Sequence, residues 1–278
     1  MKPFDIGKVR IGLDCDMFVI AGPCVIQDQA GCLEIAKRLA QISESTGVGI
    51  IFKASFDKAN RSSIASYRGP GIEKGLEILA NVREETSLPI LTDVHVPEQA
   101  AIVGKVVDCV QIPAFLCRQT DLLAACAETG LPVSVKKGQF LSPEEMTNVV
   151  GKLKECGCEK ITLTERGTFF GYNRLVNDMT AIRQMQSLDC PVIFDATHST
   201  QRPGGQGDSS GGVREMAPIL ARAAIAAGAN GLFIETHPKP ETSPCDAACM
   251  MPLTWVEEVI TDCKAIFSIV NKQKGQWV

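Results

Sequence analysis

The sequence lacks the features that would place the chain in a membrane, on a secretory route or on nucleic acid. Its 278 residues contain no apolar run of the roughly 18 residues that a membrane helix needs. Residues 1–5 carry neither the apolar stretch nor the small-residue cleavage site of a signal peptide. The net charge is −4 and only 5% of the residues are aromatic, which argues against a basic field and a base-stacking surface. We expect a cytoplasmic protein with no nucleic-acid or membrane partner.

Cysteine, in contrast, is plentiful, with 12 residues scattered along the chain, often inside apolar runs. Because no secretory signal accompanies them, we expect buried, reduced thiols. An apolar fraction of 45% with 22% charged residues is ordinary for a globular protein. No linker or low-complexity segment divides the chain, so residues 1–278 are interpreted as a single domain.

One unit recurs along the chain: a short apolar run, a polar loop and a helix with a 3.6-residue period. The near-continuous apolar runs predict strands that are buried on both faces, as in a parallel sheet. Eight units predict a (β/α)8 TIM barrel, whereas an open doubly wound sheet would need a glycine-rich turn that Gly22-Pro23-Cys24 does not supply. The alternating residues 7–15 predict a short N-terminal β-hairpin that closes the bottom of the barrel. The predicted strands are 17–21, 49–54, 90–95, 109–113, 133–136, 161–164, 192–196 and 231–236, and the predicted helices are 28–45, 71–86, 97–104, 119–129, 143–156, 175–187, 213–227 and 253–272.

Two of these helices carry explicit end signals. Ser142 is a suitable N-cap, Pro143 occupies the first helical position, and Glu145 completes a capping box. Gly228 stops the helix at 213–227. These signals predict a helix start at residue 143 and a helix end at residue 227.

Functional side chains of such a barrel collect at the C-terminal ends of its strands, and here every predicted strand ends in charged or reactive residues. A solvated basic loop would account for residues 53–63 taken alone. It does not account for cations from three strand ends in a protein of negative net charge. We therefore predict a polyanion site for two phosphorylated substrates, or for one phosphate and a carboxylate, with Asp93 paired to a lysine. The cations are Lys53, Lys58, Arg61, Lys136 and Arg166.

A second group of side chains has the character of metal ligands. Strands one, seven and eight are neighbours in a closed barrel, so the residues that follow them come together: Cys24, His198, Glu235 and Asp246. One thiolate, one imidazole and two carboxylates accept Zn²⁺, Fe²⁺, Mn²⁺ or Co²⁺ without sharp selection. The residues alone leave two alternatives open, with Cys24 as a buried thiol and His198 as an acid/base group.

Two long, breaker-rich loops, 201–212 and 239–252, follow the last two strands. Both lie on the predicted catalytic face, where a loop that orders on substrate binding would exclude water. The alternative for each is a disordered connector.

Six stretches, spread over essentially the whole chain, carry a resemblance: 53–63 (KASFDKANRSS), 111–123 (QIPAFLCRQTDLL), 135–141 (VKKGQFL), 164–174 (TERGTFFGYNR), 195–198 (DATH) and 234–238 (IETHP). In these stretches the chain resembles the 3-deoxy-D-manno-octulosonate 8-phosphate synthase family. The resemblance implies condensation of phosphoenolpyruvate with D-arabinose 5-phosphate and water. The products would be the eight-carbon sugar acid phosphate, which serves lipopolysaccharide synthesis, and inorganic phosphate.

The resemblance also implies roles for individual residues. Cys24 stands where metal-independent members have Asn, which implies the metal-dependent class with Cys24, His198, Glu235 and Asp246 as ligands. Phosphoenolpyruvate would lie among Lys53, Ser55, Lys58, Gln111, Ala114, Lys136 and Arg166. The sugar phosphate would lie against Asn60, Arg61 and Ser62, with Arg61 reaching in from a neighbouring subunit of a homotetramer. We add Asp93, Pro113 and Gln201 to the substrate site and assign catalysis to Lys58, His198, Cys24 and Asp246.

Other functions compete with this one. The shikimate-pathway relative, 3-deoxy-D-arabino-heptulosonate 7-phosphate synthase, uses erythrose 4-phosphate and the same metal ligands. Its loop typically reads Lys-Pro-Arg-Thr-Ser, whereas this chain has Lys58-Ala59-Asn60-Arg61-Ser62. A non-catalytic phosphosugar-binding barrel would keep the cations without needing four ligands. A mononuclear metallohydrolase is weaker still, because such sites usually carry several histidines.

Overall fold

Parallel strands form a closed barrel in the computed structural model, which describes residues 1–61, 63–169, 174–203 and 211–272. Each strand pairs with the next along the chain, and the last strand pairs with both the seventh and the first. The predicted barrel is thus confirmed, with strand bounds that move by two residues at most. The barrel strands are β1 (Phe18–Gly22), β2 (Gly49–Lys53), β3 (Ile90–Asp93), β4 (Cys109–Ile112), β5 (Val133–Lys136), β6 (Ile161–Glu165), β7 (Val192–Asp195) and β8 (Gly231–His237).

The strands bury both of their faces, which explains their apolar runs. In β1, Val19 and Ala21 belong to the large cluster between barrel and helices, whereas Phe18 and Ile20 belong to the smaller cluster inside the barrel. Alternate residues of one strand therefore serve two separate cores. The inner cluster continues through Phe233 of β8.

An N-terminal hairpin closes the barrel at the end opposite the strand C-termini, as predicted. Its strands are Phe4–Ile6 and Val9–Ile11, which start three residues earlier than the predicted segment 7–15. Their buried side chains join the inner cluster of the barrel. The position of the hairpin follows from its contacts, because Val9 packs against Gly49 at the start of β2.

Helices cover the outside of the barrel. Within the described ranges they are α1 (Gln29–Thr46), α2 (Ile72–Thr86), α3 (Pro97–Val103), α4 (Thr120–Glu128), α5 (Met146–Glu155), α6 (Thr180–Gln186), α7 (Ala217–Ala226) and α8 (Val256–Lys272). Among them, none combines the length and the apolar character that crossing a bilayer requires. The interpretation of residues 1–278 as one domain stays a prediction.

Four predicted helix starts were too early. Glu145 does accept a hydrogen bond from the Ser142 N–H, at 2.8 Å, but the turn that follows uses i→i+3 bonds and α5 begins only at Met146. Residues 175–179 are not helical either, since Leu175–Val176 pairs as a short antiparallel strand with Thr168–Phe169. A single 3₁₀ turn likewise precedes α7 and α8, and α7 ends at Ala226, one residue before the predicted end.

Gly22 allows β1 and β2 to approach closely where the site begins. A Cβ atom at this position would lie 2.0 Å from the carbonyl oxygen of Lys53. Any larger residue would therefore push the two strands apart. The glycine brings Cys24, just past β1, next to Lys53 at the end of β2.

Candidate active site

A cavity of about 690 Å³ opens at the C-terminal ends of the barrel strands. Of the residues assigned from sequence, Ser62 lies outside the described residues. Cys24 and Ser55 are buried and do not line the cavity as far as the described residues show. The other assigned residues all line it: Lys53, Lys58, Asn60, Arg61, Asp93, Gln111, Pro113, Ala114, Lys136, Arg166, His198, Gln201, Glu235 and Asp246.

Lys53 lies at the base of the cavity, with its side chain only 2% exposed. Its Nζ donates to Ser55 Oγ at 2.8 Å and lies 3.4 Å from Glu235 Oε1 and 3.8 Å from Asp93 Oδ1. Burial, helped by the nearby Lys58, lowers the pKa of Lys53 to about 8. The predicted lysine partner of Asp93 is therefore present, and it is Lys53.

Asp93 organises the polar groups beside Lys53. Ser55 Oγ donates to its Oδ1 at 2.5 Å, and its Oδ2 lies 3.1 Å from His95 Nε2. Burial favours the neutral form, but Lys53 and His95 outweigh it and hold the pKa of Asp93 well below its usual range. Ser55 thus acts from behind the cavity wall, by orienting Lys53 and Asp93.

Lys136 contacts the aromatic ring of Phe233 in the inner core of the barrel. Its Nζ lies 3.4 Å from the centroid of the Phe233 ring and donates to Asp195 Oδ2 at 2.5 Å. Burial lowers the pKa of Lys136, while Asp195 opposes that shift. The cation is thus held on the inner core with one carboxylate partner.

Gln201 links the cationic wall to the candidate metal ligands. It accepts a hydrogen bond from the Arg166 guanidinium at 2.7 Å and donates to Asp246 Oδ1 at 2.6 Å. Glu165, the last residue of β6, accepts from the backbone N–H groups of Arg166 and Gly167 at 3.0 and 2.6 Å. The direction of Arg166 is therefore fixed at both its backbone and its side chain.

His198 presents one ring nitrogen to the candidate ligand set. Its Nδ1 lies 2.7 Å from Asp195 Oδ2, so Nδ1 donates to that carboxylate. Its Nε2 lies 3.3 Å from Glu235 Oε2 and 4.0 Å from Asp246 Oδ2. Burial raises the pKa of Glu235, but His198, Lys58 and Lys53 together hold it at about 2. Within the described residues, Glu235 Oε2 is buried and accepts no hydrogen bond, which suits an oxygen that would ligate a cation.

Cys24 completes the set through Asp246. Its Sγ lies 3.2 Å from Asp246 Oδ2, so the four predicted ligands form two overlapping groups that share Asp246. The structure also joins Cys24 to Cys245 in a disulfide. The expectation of buried, reduced thiols is thus wrong for this pair. The other ten cysteines are free, and all of them are buried except Cys15, which is half-buried, and Cys156, which is exposed.

The sugar-side residues lie at the outer part of the cavity. Arg61 donates to the carbonyl oxygens of Pro244, at 2.5 Å, and Tyr67, at 3.2 Å, both in the same chain. Lys58 is held by its backbone, which donates to Arg68 O at 2.7 Å, and its Nζ lies 3.9 Å from Glu235 Oε1. Burial opposes the charge on Lys58, but Glu235, Asp93 and Asp246 outweigh it and raise the pKa.

Sequence reasoning omitted some residues of the cavity wall. Gln139 is 3% exposed and lines the cavity three residues past the end of β5, and its Oε1 has no hydrogen-bond partner among the described residues. His95 and the half-exposed Phe115, which the sequence places at strand ends but to which no role was assigned, also line it. Extending the strand-end rule by three residues would have found Gln139. The pairing of Cys245 with Cys24 was also missed, although Cys245 directly precedes Asp246, which the strand order had already placed beside Cys24.

Fold and site together define the class: a (β/α)8 barrel with a cation-lined cavity and a mixed sulfur, nitrogen and oxygen ligand set at its strand ends. Residues 2–270 match the DAHP synthetase I family, and the chain belongs to that family.

Several similar proteins share the name 2-dehydro-3-deoxyphosphooctonate aldolase. One from Syntrophotalea carbinolica is 51% identical over 266 residues, which cover 96% of each chain. One from Protochlamydia amoebophila is 50% identical over 273 residues, which cover 98% of this chain and 99% of the relative. One from Nitratidesulfovibrio vulgaris is 52% identical over 252 residues, which cover 91% of this chain and 92% of the relative. The family resemblance inferred from the sequence is thereby confirmed.

Proposed function

We propose that the protein condenses phosphoenolpyruvate with D-arabinose 5-phosphate and water. The products are 3-deoxy-D-manno-octulosonate 8-phosphate, for lipopolysaccharide synthesis, and inorganic phosphate. The observation that carries the proposal is the convergence of the cations Lys53, Lys58, Arg61, Lys136 and Arg166 on one cavity. Phosphoenolpyruvate has a phosphate and a carboxylate, and the sugar has a second phosphate. Together these anionic groups would pair with the excess of cations in the cavity. The names of the relatives support the same reaction.

The residues divide between the two substrates along the cavity. The phosphate and carboxylate of phosphoenolpyruvate bind to Lys53, Lys136 and Arg166. Lys53 and Lys136 are each held by a buried carboxylate, and Arg166 is held by the Gln201 amide. Asn60 and Arg61, farther out, bind the phosphate of the sugar. The aldehyde then lies between the two sets, beside Lys58.

Bond formation needs a proton donor at the aldehyde. As C3 of phosphoenolpyruvate attacks the aldehyde carbon, the aldehyde oxygen gains negative charge and takes up a proton. Lys58 is the proposed donor, because its raised pKa keeps it protonated until that moment. Water adds at C2, and phosphate leaves by cleavage of the C2–O bond, with Lys136 and Arg166 stabilising its charge.

The metal-dependent class is part of the proposal. Cys24, His198, Glu235 and Asp246 would hold the ion, and this donor set suits Zn²⁺, Fe²⁺, Mn²⁺ or Co²⁺. Glu235 Oε2, which is buried without a hydrogen bond among the described residues, and His198 Nε2, 3.3 Å from it, support this assignment. When bound, such an ion polarises a carbonyl oxygen or lowers the pKa of a water molecule.

We also propose a homotetramer in which subunits exchange Arg61, so that each cavity receives this side chain from a neighbouring subunit in place of its own. Val96 and Phe115 are about half-exposed and line the mouth of the cavity, and an apolar rim of this kind favours a protein partner. Arg61, which lines the same cavity, would need to release the carbonyl oxygens of Pro244 and Tyr67 to reach across.

The test is a comparison of two sugars. Purified protein with a divalent metal and phosphoenolpyruvate should release phosphate with D-arabinose 5-phosphate and not with erythrose 4-phosphate, and mass spectrometry should identify the eight-carbon product. Release with erythrose 4-phosphate alone would favour 3-deoxy-D-arabino-heptulosonate 7-phosphate synthesis, which the names of the relatives disfavour. Binding of phosphoenolpyruvate without phosphate release from either sugar would favour the non-catalytic barrel.

A further inference from the structure

Cys245 forms a disulfide with Cys24, one of the proposed metal ligands. Cys24 follows β1 and Cys245 precedes Asp246 in the loop after β8, so the bond crosses the seam at which the barrel closes. A sulfur in a disulfide carries no thiolate charge and is a poor ligand for the ions considered. We propose that Cys24 and Cys245 form a reversible redox switch, in which the disulfide and the bound metal exclude each other.

The geometry around Asp246 supports mutual exclusion. Cys24 Sγ lies 3.2 Å from Asp246 Oδ2, and the same oxygen lies 4.0 Å from His198 Nε2. The Cys24 sulfur therefore lies between Asp246, a proposed ligand, and Cys245. Forming the disulfide withdraws one of the four proposed ligands, while ligand atoms of His198, Glu235 and Asp246 still lie within 4.8 Å of one another.

The surroundings favour this pair over other thiols. Cys24 and Cys245 share a small buried cluster with Val25 and Met250, which shields the bond from bulk solvent. Cys249, on the same loop, is already engaged, because its Sγ donates to the carbonyl oxygen of Asp246 at 3.3 Å. Cys245 also borders the cavity, so a small oxidant entering there meets it first.

The chemistry balances with hydrogen peroxide as the oxidant. One thiol loses its proton and attacks the peroxide as the thiolate, the O–O bond breaks, and a sulfenic acid forms together with hydroxide, which takes up that proton and becomes water. The second thiol attacks the sulfenic sulfur, which forms the S–S bond and releases a second water. The two sulfurs together lose two electrons to the peroxide, and a dithiol reductant returns them and becomes a disulfide itself.

The inference rests on the proposed metal site, so the experiment measures disulfide formation and Zn²⁺ binding separately. Reduced, chelator-treated protein is divided, one portion is loaded with Zn²⁺, and both are treated with one equivalent of hydrogen peroxide. Non-reducing peptide mapping should find a Cys24–Cys245 cross-link only in the metal-free portion. That portion should then bind Zn²⁺ at least about 100-fold more weakly, and dithiothreitol should restore both free thiols and the affinity.

Two variants sharpen the test. Cys245→Ser should form no cross-link and keep its Zn²⁺ affinity after peroxide and dithiothreitol, whereas Cys249→Ser, on the same loop, should behave like the wild type. A wild type without the cross-link, or one that is cross-linked yet binds Zn²⁺ with unchanged affinity, would overturn the switch. Reduced protein that binds no Zn²⁺ would instead remove the proposed metal site, and peptide mapping would still show whether the disulfide forms.

Discussion

Nδ1 of His198 lies 2.7 Å from Oδ2 of Asp195, a carboxylate with no exposed surface at the end of β7. A carboxylate of this kind only accepts, so the imidazole must donate from Nδ1, and the neutral ring then keeps its lone pair on Nε2. Burial opposes ionisation of Asp195, but His198 and Lys136 outweigh it and hold its pKa well below the usual range. The strand therefore fixes both the tautomer and the direction of a proposed metal ligand before any ion binds.

Replacing Asp195 by Asn should weaken Zn²⁺ binding by about 10- to 100-fold, because an amide neither fixes the tautomer nor raises the basicity of the imidazole. Competition against a chromophoric chelator measures the affinity directly. Lys136→Met is the matched control, since Lys136 donates to the same carboxylate oxygen and lies 3.4 Å from Nδ1 of His198, on the side of the ring away from the ligand set. An equal loss in both variants would mean that the buried ion pair matters, and not the histidine.

Arg61→Ala should weaken D-arabinose 5-phosphate binding by about 10- to 100-fold, the worth of a charged hydrogen bond, and change phosphoenolpyruvate binding far less. Isothermal titration with each substrate separates the two effects. Arg68→Ala is the control, because Arg68 belongs to the same loop and its exposed guanidinium is paired with Asp57. If both substrates lost affinity equally in Arg61→Ala, the guanidinium would not belong to the sugar end of the cavity.

The sequence predicted the barrel because each β/α unit carries its own apolar period and its own turn residues. It failed at Leu175 and Val176, where pairing with Thr168–Phe169 overrides a local helical pattern. Such pairings depend on chain segments meeting in three dimensions, and no periodicity records them.

For the site, the sequence likewise predicted which residues come together but not all of their contacts. Barrel topology brings strand ends together, so Lys53, Asp93 and Lys136 could be placed on one mouth from their positions alone. The hydrogen-bond partner of each side chain could not be predicted, because it depends on loop conformation. Gln201 contacts both Arg166 and Asp246 only because of the backbone conformation that places it just after β7.

Lys137→Met should destabilise the protein by about 3–5 kcal/mol, the usual cost of leaving one member of a buried ion pair alone. Lys137 is fully buried, lies 3.6 Å from Glu165 Oε2 and donates to the carbonyl oxygen of Leu141 at 3.0 Å. Urea unfolding measures the loss. Lys152→Met, at the surface, should cost less than about 1 kcal/mol.

A double-mutant cycle tests whether Lys137 and Glu165 act as a pair. Burial raises the pKa of Glu165 and Lys137 opposes that shift, so removing both charges should cost less than the sum of the two single changes. We expect Lys137→Met/Glu165→Gln to fall short of that sum by more than about 1 kcal/mol. Strict additivity of the unfolding free energies would show that the two side chains stabilise the fold independently.

Stability above pH 9 should depend on buried thiols. Burial, with a smaller effect of Asp28, raises the pKa of Cys32 from its ordinary 9.0 to about 12. Above pH 9 the unfolded chain therefore releases a proton that the folded chain retains, so stability falls as the pH rises. Relative to Cys32→Ala, the wild type should lose about 1.4 kcal/mol of unfolding free energy between about pH 8 and pH 10. A pH-independent difference for Cys32→Ala would mean that Cys32 ionises equally easily in both states.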